Sequence, residues 1–498
     1  MRLRTDEAAS RPARELIQQF EPEGRADGTE DDSELTVSID SSAEAKGGNR
    51  DNGSVIRIEI ADARSPEKNR SITEGIDPDG ILTEEQQIKR AIYRVLADYF
   101  GRSLPWGILT GVKPVRFYQK TAKKFPEADT KKLLETEYLL SPGNVRLAAE
   151  IDALQEPVIA SWRPKTLSLY VGIPVCPAKC SYCSFVSTVL DKKRCLLTDY
   201  LPLLENEIRQ TGKLFEEYGC VVDSVYIGGG TPSVLAPDEA DRLLKVLEEA
   251  FDLGNLREFC FEAGRPDTTG PELLRVLADH GVTRVCLNPQ SMNADTLTAV
   301  NRLYPPEKVG EVYGQIRRAG DFDVNMDLIL GLAEESEADF MRSLDEVIAM
   351  NPENITVHDL AVKKGTRVKL ENGTGDSSRF RPGFFGEIRE RLTDAGYLPY
   401  YMYRQKYTIG NGENIGWTRP GHESYYNIMM MAEEQTILGI GAGSSGKLFD
   451  AGADRFDRVF TVKDLRTYNS RPEELLEKKL AVYRSYLESG VIDNLRVI

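Results

Sequence analysis

Three thiols stand close together in the stretch Cys176-Pro177-Ala178-Lys179-Cys180-Ser181-Tyr182-Cys183. Thiolates favour soft metals, which here means zinc, copper(I) or iron–sulfur. Most iron–sulfur clusters take four cysteines. A compact trio leaves one iron open, as catalytic metal sites keep a position free for substrate. The nearest further cysteine, Cys195, follows Asp191, Lys192, Lys193 and Arg194, a solvated setting rather than a metal-binding one. On spacing alone, a structural zinc site or three unrelated core cysteines remain alternatives. Zinc sites usually show paired CxxC or Cys/His spacings, and no His lies between Leu167 and Phe259. The trio therefore reads as an open-site iron–sulfur cluster.

The elements that must hold these thiols begin at the apolar stretch Leu167–Ile173 just before them. It is the first of six strand-like runs alternating with helices; the others are Ser224–Ile227, Glu258–Glu262, Arg284–Leu287, Val324–Leu330 and Ile355–Leu360. In the first intervening helix Leu201, Leu204, Ile208, Leu214, Phe215 and Tyr218 recur at helical spacing. Repeated βα units imply a parallel sheet with right-handed crossovers. Six units fall short of the eight that close a TIM barrel. The expected fold class is α/β, a partial six-unit (β/α)6 TIM-like barrel with a small N-terminal α+β domain and a mainly helical C-terminal domain.

Chemistry in parallel barrels sits at the C-terminal ends of the strands, and each of the first five strands carries an unusual feature there. The cysteines follow strand one, and Gly228-Gly229-Gly230-Thr231-Pro232 follows strand two. Glu262 ends strand three, Gln290 lies just beyond strand four, and Asp327 sits in strand five. Glycines let backbone groups approach a ligand closely, so exposed amides and carbonyls of this turn are expected to meet a ligand's charged ends. Glu262 and Asp327 suit hydrogen bonds from hydroxyls or an amine. Arg302 reads either as a bidentate partner for a carboxylate or as an ordinary helix-surface arginine.

At 498 residues the chain has room for two or three domains. The expected division is an accessory domain over 1–165 with mobile acidic loops, the barrel over 166–370, and a C-terminal domain over 371–498. Within the first, Leu35–Ile39 and Val55–Ile60 alternate like a strand pair, with loops at 27–32 and 46–53. Ile81–Tyr99 reads as a helix capped by Thr83 and stopped at Gly101, and Asn144–Trp162 as another. Further on come a helix over Phe384–Ala395, an aromatic strand over Tyr400–Tyr403, and helical stretches near Pro472–Ser489. Tyr425, Tyr426 and Met429 to Met431 read as core.

A net charge of −16 argues against general nucleic-acid affinity. Seven cysteines, an odd count, argue against a disulfide framework. Met1–Glu15 is charged, and no apolar run approaches the roughly 18 residues of a membrane span. A cytoplasmic protein without a membrane span is expected.

CxxxCxxC directly after a strand resembles the signature of the radical S-adenosylmethionine (radical SAM) enzymes. From about Leu167 to Lys447 the order of motifs resembles one branch, the oxygen-independent coproporphyrinogen III dehydrogenases and their relatives. The resemblance implies a [4Fe–4S] cluster on Cys176, Cys180 and Cys183, with the amine and carboxylate of SAM on the open iron. It implies SAM contacts from Tyr170, Tyr182, Gly229, Gly230, Thr231, Glu262, Gln290, Arg302, Asp327 and Ala361, and a site for two SAM molecules. The implied reaction is oxidative decarboxylation of two propionates of coproporphyrinogen III to give protoporphyrinogen IX. A radical derived from SAM takes a hydrogen from each propionate before carbon dioxide leaves. The implied partners are a tetrapyrrole substrate and an unidentified electron donor. In the family the C-terminal region closes over the barrel mouth.

Two departures bear on the substrate. Phe185 stands where better-understood dehydrogenases carry a fourth cysteine, and the extension with Leu104-Pro105-Trp106-Gly107-Ile108-Leu109-Thr110-Gly111 looks like that of a second bacterial subgroup. Relatives with the same SAM motifs are haem chaperones, whose haem-binding stretch has His-Asn followed two residues later by Tyr-Trp. The matching residues here are Tyr426-Asn427 and Met430-Met431, with His422 nearby. A haem chaperone and a radical SAM enzyme on another substrate are thus the rival functions. Anaerobic reconstitution is expected to yield about four irons and four sulfides per chain, by the cluster type. Iron and sulfide analysis of a triple Cys176→Ala, Cys180→Ala, Cys183→Ala variant should find none, and full retention would refute the cluster.

Overall fold

The computed structural model describes residues 2–5, 7–20, 35–43, 55–62, 65–111, 113–185, 187–190, 194–361, 380–381, 383–405, 408–409 and 412–491. The loops expected at 27–32 and 46–53 and the boundary expected near 370 lie outside these residues. The chain forms two compact units. One comprises Met1–Asp152 with Lys369–Arg379 and Arg404–Asn411, and the other Ala153–Val368, Phe380–Tyr403 and Gly412–Ile498.

In the first unit, Leu35–Ala43 and Val55–Asp62 pair antiparallel, with Val37 opposite Ile60 and Ile39 opposite Ile58. They form the middle of a four-stranded sheet between Arg2–Thr5 and Arg70–Gly75. Strand alternation buries Ile56, Ile58 and Ile60. The helix Glu84–Phe100 starts one residue after Thr83, whose side chain forms a capping box with Gln86, and it stops at Gly101 in the left-handed region (φ +62°). Ile81 lies outside that cap and is exposed. The helices Glu7–Phe20 and Pro114–Ala122 escaped the sequence reading. Proline interrupts or opens each of them, which blurs the pattern.

The second unit is built on one mixed sheet. Its parallel core runs through Thr166–Ile173, Val221–Gly229, Glu258–Phe261, Arg284–Cys286, Asp323–Leu330 and Asn354–Asp359, each beside the next. These are the six expected strands, and helices connect them in βα order. The C-terminal part adds strands at both edges. Ile437–Ile440 joins Thr166–Ile173 in parallel, and two antiparallel strands follow it outward. On the other side Asn414–Thr418 and Leu398–Tyr403 continue antiparallel. Both outer strands are edges, so the barrel stays open. The helix Pro472–Glu488 is fastened to the long helix Arg194–Tyr218 by a buried Lys479–Glu207 ion pair. Among the described residues no helix is long and apolar enough to cross a membrane.

Register stacks the strand side chains in layers. Ser168, Ser224 and Glu258 lie side by side, and two residues further along so do Tyr170, Tyr226 and Cys260. Cys260 and Cys286 are buried free thiols with sulfurs 3.7 Å apart. Alternation puts Cys260 on the face of Glu262, whose N–H continues the ladder to Ile227 O (2.9 Å).

The N-terminal ends of the strands are closed by the short helix Tyr425–Ala432 and the turn before it. Ser424 Oγ and the Tyr425 N–H each donate to Glu258 at 2.8 Å, and Tyr425 Oη donates to Asp223 at 2.7 Å. Arg284 pairs with Glu258 (3.4 Å) and Asp323 (2.9 Å) and donates to His422 O (3.0 Å). The Tyr426 ring then rests on Tyr226, with centroids 4.7 Å apart at 26°. This segment therefore floors the barrel, at the end opposite the strand features. Glu258 and Arg284 are each almost wholly buried, and removing one buried partner strands the other charge. Glu258→Ala should lower the unfolding free energy by about 3–5 kcal/mol in urea titrations. A loss under about 1 kcal/mol, the worth of an exposed pair, would contradict this anchoring.

Candidate active site

The thiol-bearing turn leaves the sheet at Ile173 and is pinned from both sides. Toward strand two, the Gly230 N–H donates to Ile173 O (2.8 Å) and the Thr231 N–H to Val175 O (2.7 Å). A Cβ on Gly230 would lie 2.4 Å from Val175 O, and Gly229 has φ +121°. The glycines are thus needed for close approach. The approach seen here is to the chain's own backbone, and the Gly230 and Thr231 amides hold the turn. Thr231 Oγ1 lies 3.5 Å from Cys176 Sγ. On the other side, at the end of the helix Ala294–Ala299, the Ser181 N–H donates to Val300 O (3.2 Å) and Asn301 Nδ2 to Lys179 O (2.9 Å). Cys195 is exposed, as its charged setting implied.

Burial pushes the thiols of Cys176 and Cys183 up, and the neighbouring thiols add to this. Coordination would have to drive their deprotonation, as it does for metal-bound thiols. Each thiolate of a cluster binds its own iron, so the three need not converge on one point. Among the described residues no three His, Cys, Asp or Glu side chains do.

Above the tyrosine layer lie two carboxylates of opposite character. Burial, and after it the charge of Asp327, pushes the Glu262 carboxyl up to about 8. Burial would raise Asp327 too, but His358, Asn325 and Thr356 outweigh it and hold that carboxyl below its usual range. Asn325 Nδ2 donates to Asp327 Oδ1 at 2.8 Å, and His358 Nε2 stands 3.8 Å from Oδ2. The shifts favour a protonated Glu262 and an ionised Asp327, a donor and an acceptor two strands apart.

Gln290 sits at φ +70°, a conformation costing a non-glycine residue of order 1–3 kcal/mol. Its N–H donates to Asp327 O (2.8 Å) and its carbonyl accepts from the Ile329 N–H (2.9 Å), which hold it there. Gln290 Oε1 and Asn288 Oδ1 are buried without a hydrogen-bond partner. Arg302 is 5% exposed, which removes the helix-surface reading. Its Nη1 donates to Tyr304 Oη (2.8 Å) and to Asn288 O, and its Nε is buried without a partner. Burial pushes the Tyr182 phenol up against the pull of Arg302. Tyr170 stacks on Tyr226 with centroids 6.0 Å apart, and its phenol is likewise raised by burial. Ala361 is buried just past strand six and offers only a methyl group.

The expected residues lie within one unit. The cysteines, Tyr182, Gly229, Gly230, Thr231, Glu262, Gln290 and Ala361 stand at or beyond the C-terminal ends of strands, Tyr170 and Asp327 inside theirs, and Arg302 after the helix Ala294–Ala299. Spacing missed Tyr226, Asn288 and His358. Tyr226 was legible in principle, being two residues before Gly228 on the same face of Val221–Gly229. The site fits the cofactors that the thiols call for. It has three thiols for a cluster, a glycine turn with no space for a Cβ, and unpartnered buried amide oxygens and a guanidinium nitrogen for a zwitterionic ligand. Buried polar groups normally find partners, so the orphans mark where a polar ligand would complete them.

A model of the radical SAM superfamily matches residues 170–347. The oxygen-independent coproporphyrinogen-III oxidase-like protein HemZ of Bacillus subtilis is 35% identical over 438 residues, covering 84% of each chain. The chain belongs to this radical SAM family. The haem chaperone HemW of Lactococcus lactis is 29% identical over 320 residues, covering 63% of this chain and 79% of that one. Among solved structures, the coproporphyrinogen III oxidase HemN of Escherichia coli aligns with a TM-score of 0.49 at 22% identity, over 68% of this chain and 78% of that one. As a radical SAM protein, the chain uses a [4Fe–4S] cluster and S-adenosylmethionine.

The raised Glu262 carboxyl has a consequence for stability. Unfolded, it ionises near its ordinary 4.5; folded, near 8. Between those values the folded state binds the extra proton, so stability falls as pH rises. Glu262→Gln removes the effect. The cluster-free variant should match the parent below pH 4.5, gain on it progressively toward pH 8, and hold a constant lead above. Unfolding midpoints across that range check this, and a pH-independent difference would contradict the assignment.

Proposed function

We propose that this radical SAM protein catalyses the oxygen-independent oxidative decarboxylation of coproporphyrinogen III to protoporphyrinogen IX. The similarity to HemZ over most of both chains supports an enzyme of this branch. The observation that favours an enzyme over a haem chaperone is the state of residues 425–431. Tyr426, at the position of the chaperones' histidine, is 3% exposed in the barrel floor. A tyrosine ligand must lose its proton, and burial pushes the Tyr426 phenol well up. Iron ligation there would require the floor to open. Exposed His422 is already hydrogen-bonded to Asp323 at 2.7 Å.

When bound, the cluster and SAM supply the one-electron chemistry that breaks an unactivated C–H bond. The chain's own residues do the positioning. Cys176, Cys180 and Cys183 hold the cluster. Gln290 Oε1, Asn288 Oδ1 and Arg302 Nε, buried without partners, would be completed by polar groups of SAM. Protonated Glu262 and ionised Asp327 give a donor and an acceptor for its hydroxyls. The packed floor of Tyr226 and Tyr426 keeps water from entering from below. Each propionate gives up a hydrogen atom, carbon dioxide and one further electron to become a vinyl group, so the reaction also needs a one-electron acceptor.

The reconstituted protein, incubated anaerobically with SAM, a reductant and coproporphyrinogen III, should form 5′-deoxyadenosine together with products lighter by one and two formic acid equivalents. Mass spectrometry reads both. SAM cleavage without any decarboxylated product would shift the assignment to another substrate. A saturable one-to-one Soret change on haem titration, abolished by His422→Ala, would favour the chaperone.

A further inference from the structure

Arg265 follows Glu262 by three residues in Glu262-Ala263-Gly264-Arg265-Pro266-Asp267, just beyond strand three. The turn that carries it is firmly built. Gly264 adopts φ +69° and its N–H donates to Cys286 O (2.8 Å). Ser233 Oγ donates to Ala263 O, and Thr269 Oγ1 donates to Arg265 O (2.9 Å). The side chain is thereby folded inward to 4% exposure. Its Nε and Nη2 donate to the two carboxylate oxygens of Asp267 at 2.9 and 2.8 Å. That bidentate pair fixes the plane of the guanidinium. The remaining nitrogen, Nη1, points its hydrogen-bonding capacity elsewhere, to Cys180 Sγ at 3.6 Å. Cys180 is the most buried of the three thiols of the turn. The guanidinium carbon also lies 5.8 Å from the centre of the Tyr304 ring.

We infer that Arg265 is a positioning residue for the cluster, one that raises its reduction potential through an N–H···S bond to the Cys180 thiolate. The inference rests on Cys180 being a cluster ligand. A thiolate-bound cluster is anionic, and adding an electron to it in a buried setting is costly. A fixed cation beside a ligand sulfur stabilises the reduced form more than the oxidised one, and hydrogen bonds to the sulfurs are a recognised lever on cluster potential. Asp267 offsets part of that charge. Its side chain is 32% exposed against 4% for Arg265, so solvent screens the anion more than the cation. Lysine could not replace this arrangement, because only a planar fork can hold a carboxylate with one edge and a sulfur with another nitrogen.

The experiment is an anaerobic redox titration of reconstituted protein followed by electron paramagnetic resonance, with iron and sulfide counted on the same samples. Arg265→Gln should keep the parent's iron content and shift the midpoint negative, cutting the reduced-to-oxidised ratio about tenfold at the parent's midpoint, the ratio change equivalent to about 1.4 kcal/mol. Asp267→Asn keeps the arginine and removes the opposing anion, and should shift the midpoint positive. A structural role in holding the turn predicts no such opposite pair. A fully loaded Arg265→Gln protein with the parent's midpoint overturns the inference. If that variant does not assemble a cluster, Asp267→Asn decides alone, and an unchanged or more negative midpoint overturns it. Failure of the parent itself to assemble a cluster would instead remove the underlying reading of Cys180.

Discussion

Two backbone hydrogen bonds, Gly230 N–H to Ile173 O and Thr231 N–H to Val175 O, hold the thiol-bearing turn against the neighbouring strand. Everything at the candidate site depends on that contact. It exists only because position 230 lacks a Cβ, which would otherwise meet Val175 O at 2.4 Å. A parallel sheet delivers both turns to the same rim, and the glycine turn of strand two then sets where the cysteines of strand one begin. The tie from Ser181 and Asn301 to the segment before Arg302 closes the other side. A cluster held in this turn would be positioned by the barrel rim rather than by a free loop, which limits the reorganisation accompanying electron transfer to it.

Below the rim, the interior is layered by polarity. The floor is a network of charges at the strand starts, in which Glu258, Arg284, Asp323 and Asp223 anchor residues 420–426. Above it lie the stacked rings of Tyr426, Tyr226 and Tyr170, and above those the Glu262–Asp327 pair. Two buried carboxylates that feel each other's charge cannot both stay ionised at little cost. The protein resolves this by surrounding Asp327 with His358, Asn325 and Thr356 and leaving Glu262 to hold its proton. Two chemically similar side chains thereby acquire complementary hydrogen-bonding roles.

Much of this was legible in the sequence, and the reasons differ by element. The six strands and the cysteine turn stood out because buried parallel strands are short apolar runs and because thiols at that spacing have few other uses. The capped helix Glu84–Phe100 was readable from Thr83 and Gly101, since caps are local chemistry. Arg265 was not, because its importance comes from a sulfur 85 residues away in the chain. The floor was half-read. Tyr425, Tyr426 and Met429 signalled core, but their meeting with strand starts rather than strand ends is a property of topology. The glycine turn was found for its freedom, but that two of its amides tie the adjoining backbone is a property of the folded rim.

The central claim is that the three cysteines hold a cluster with one iron left open to S-adenosylmethionine. The most direct test is the electron paramagnetic resonance spectrum of the reduced, reconstituted protein recorded with and without S-adenosylmethionine. Binding at an open iron changes that iron's ligand set, so the account predicts a saturable change in the spectrum. A reduced cluster whose spectrum is identical at saturating S-adenosylmethionine would contradict it.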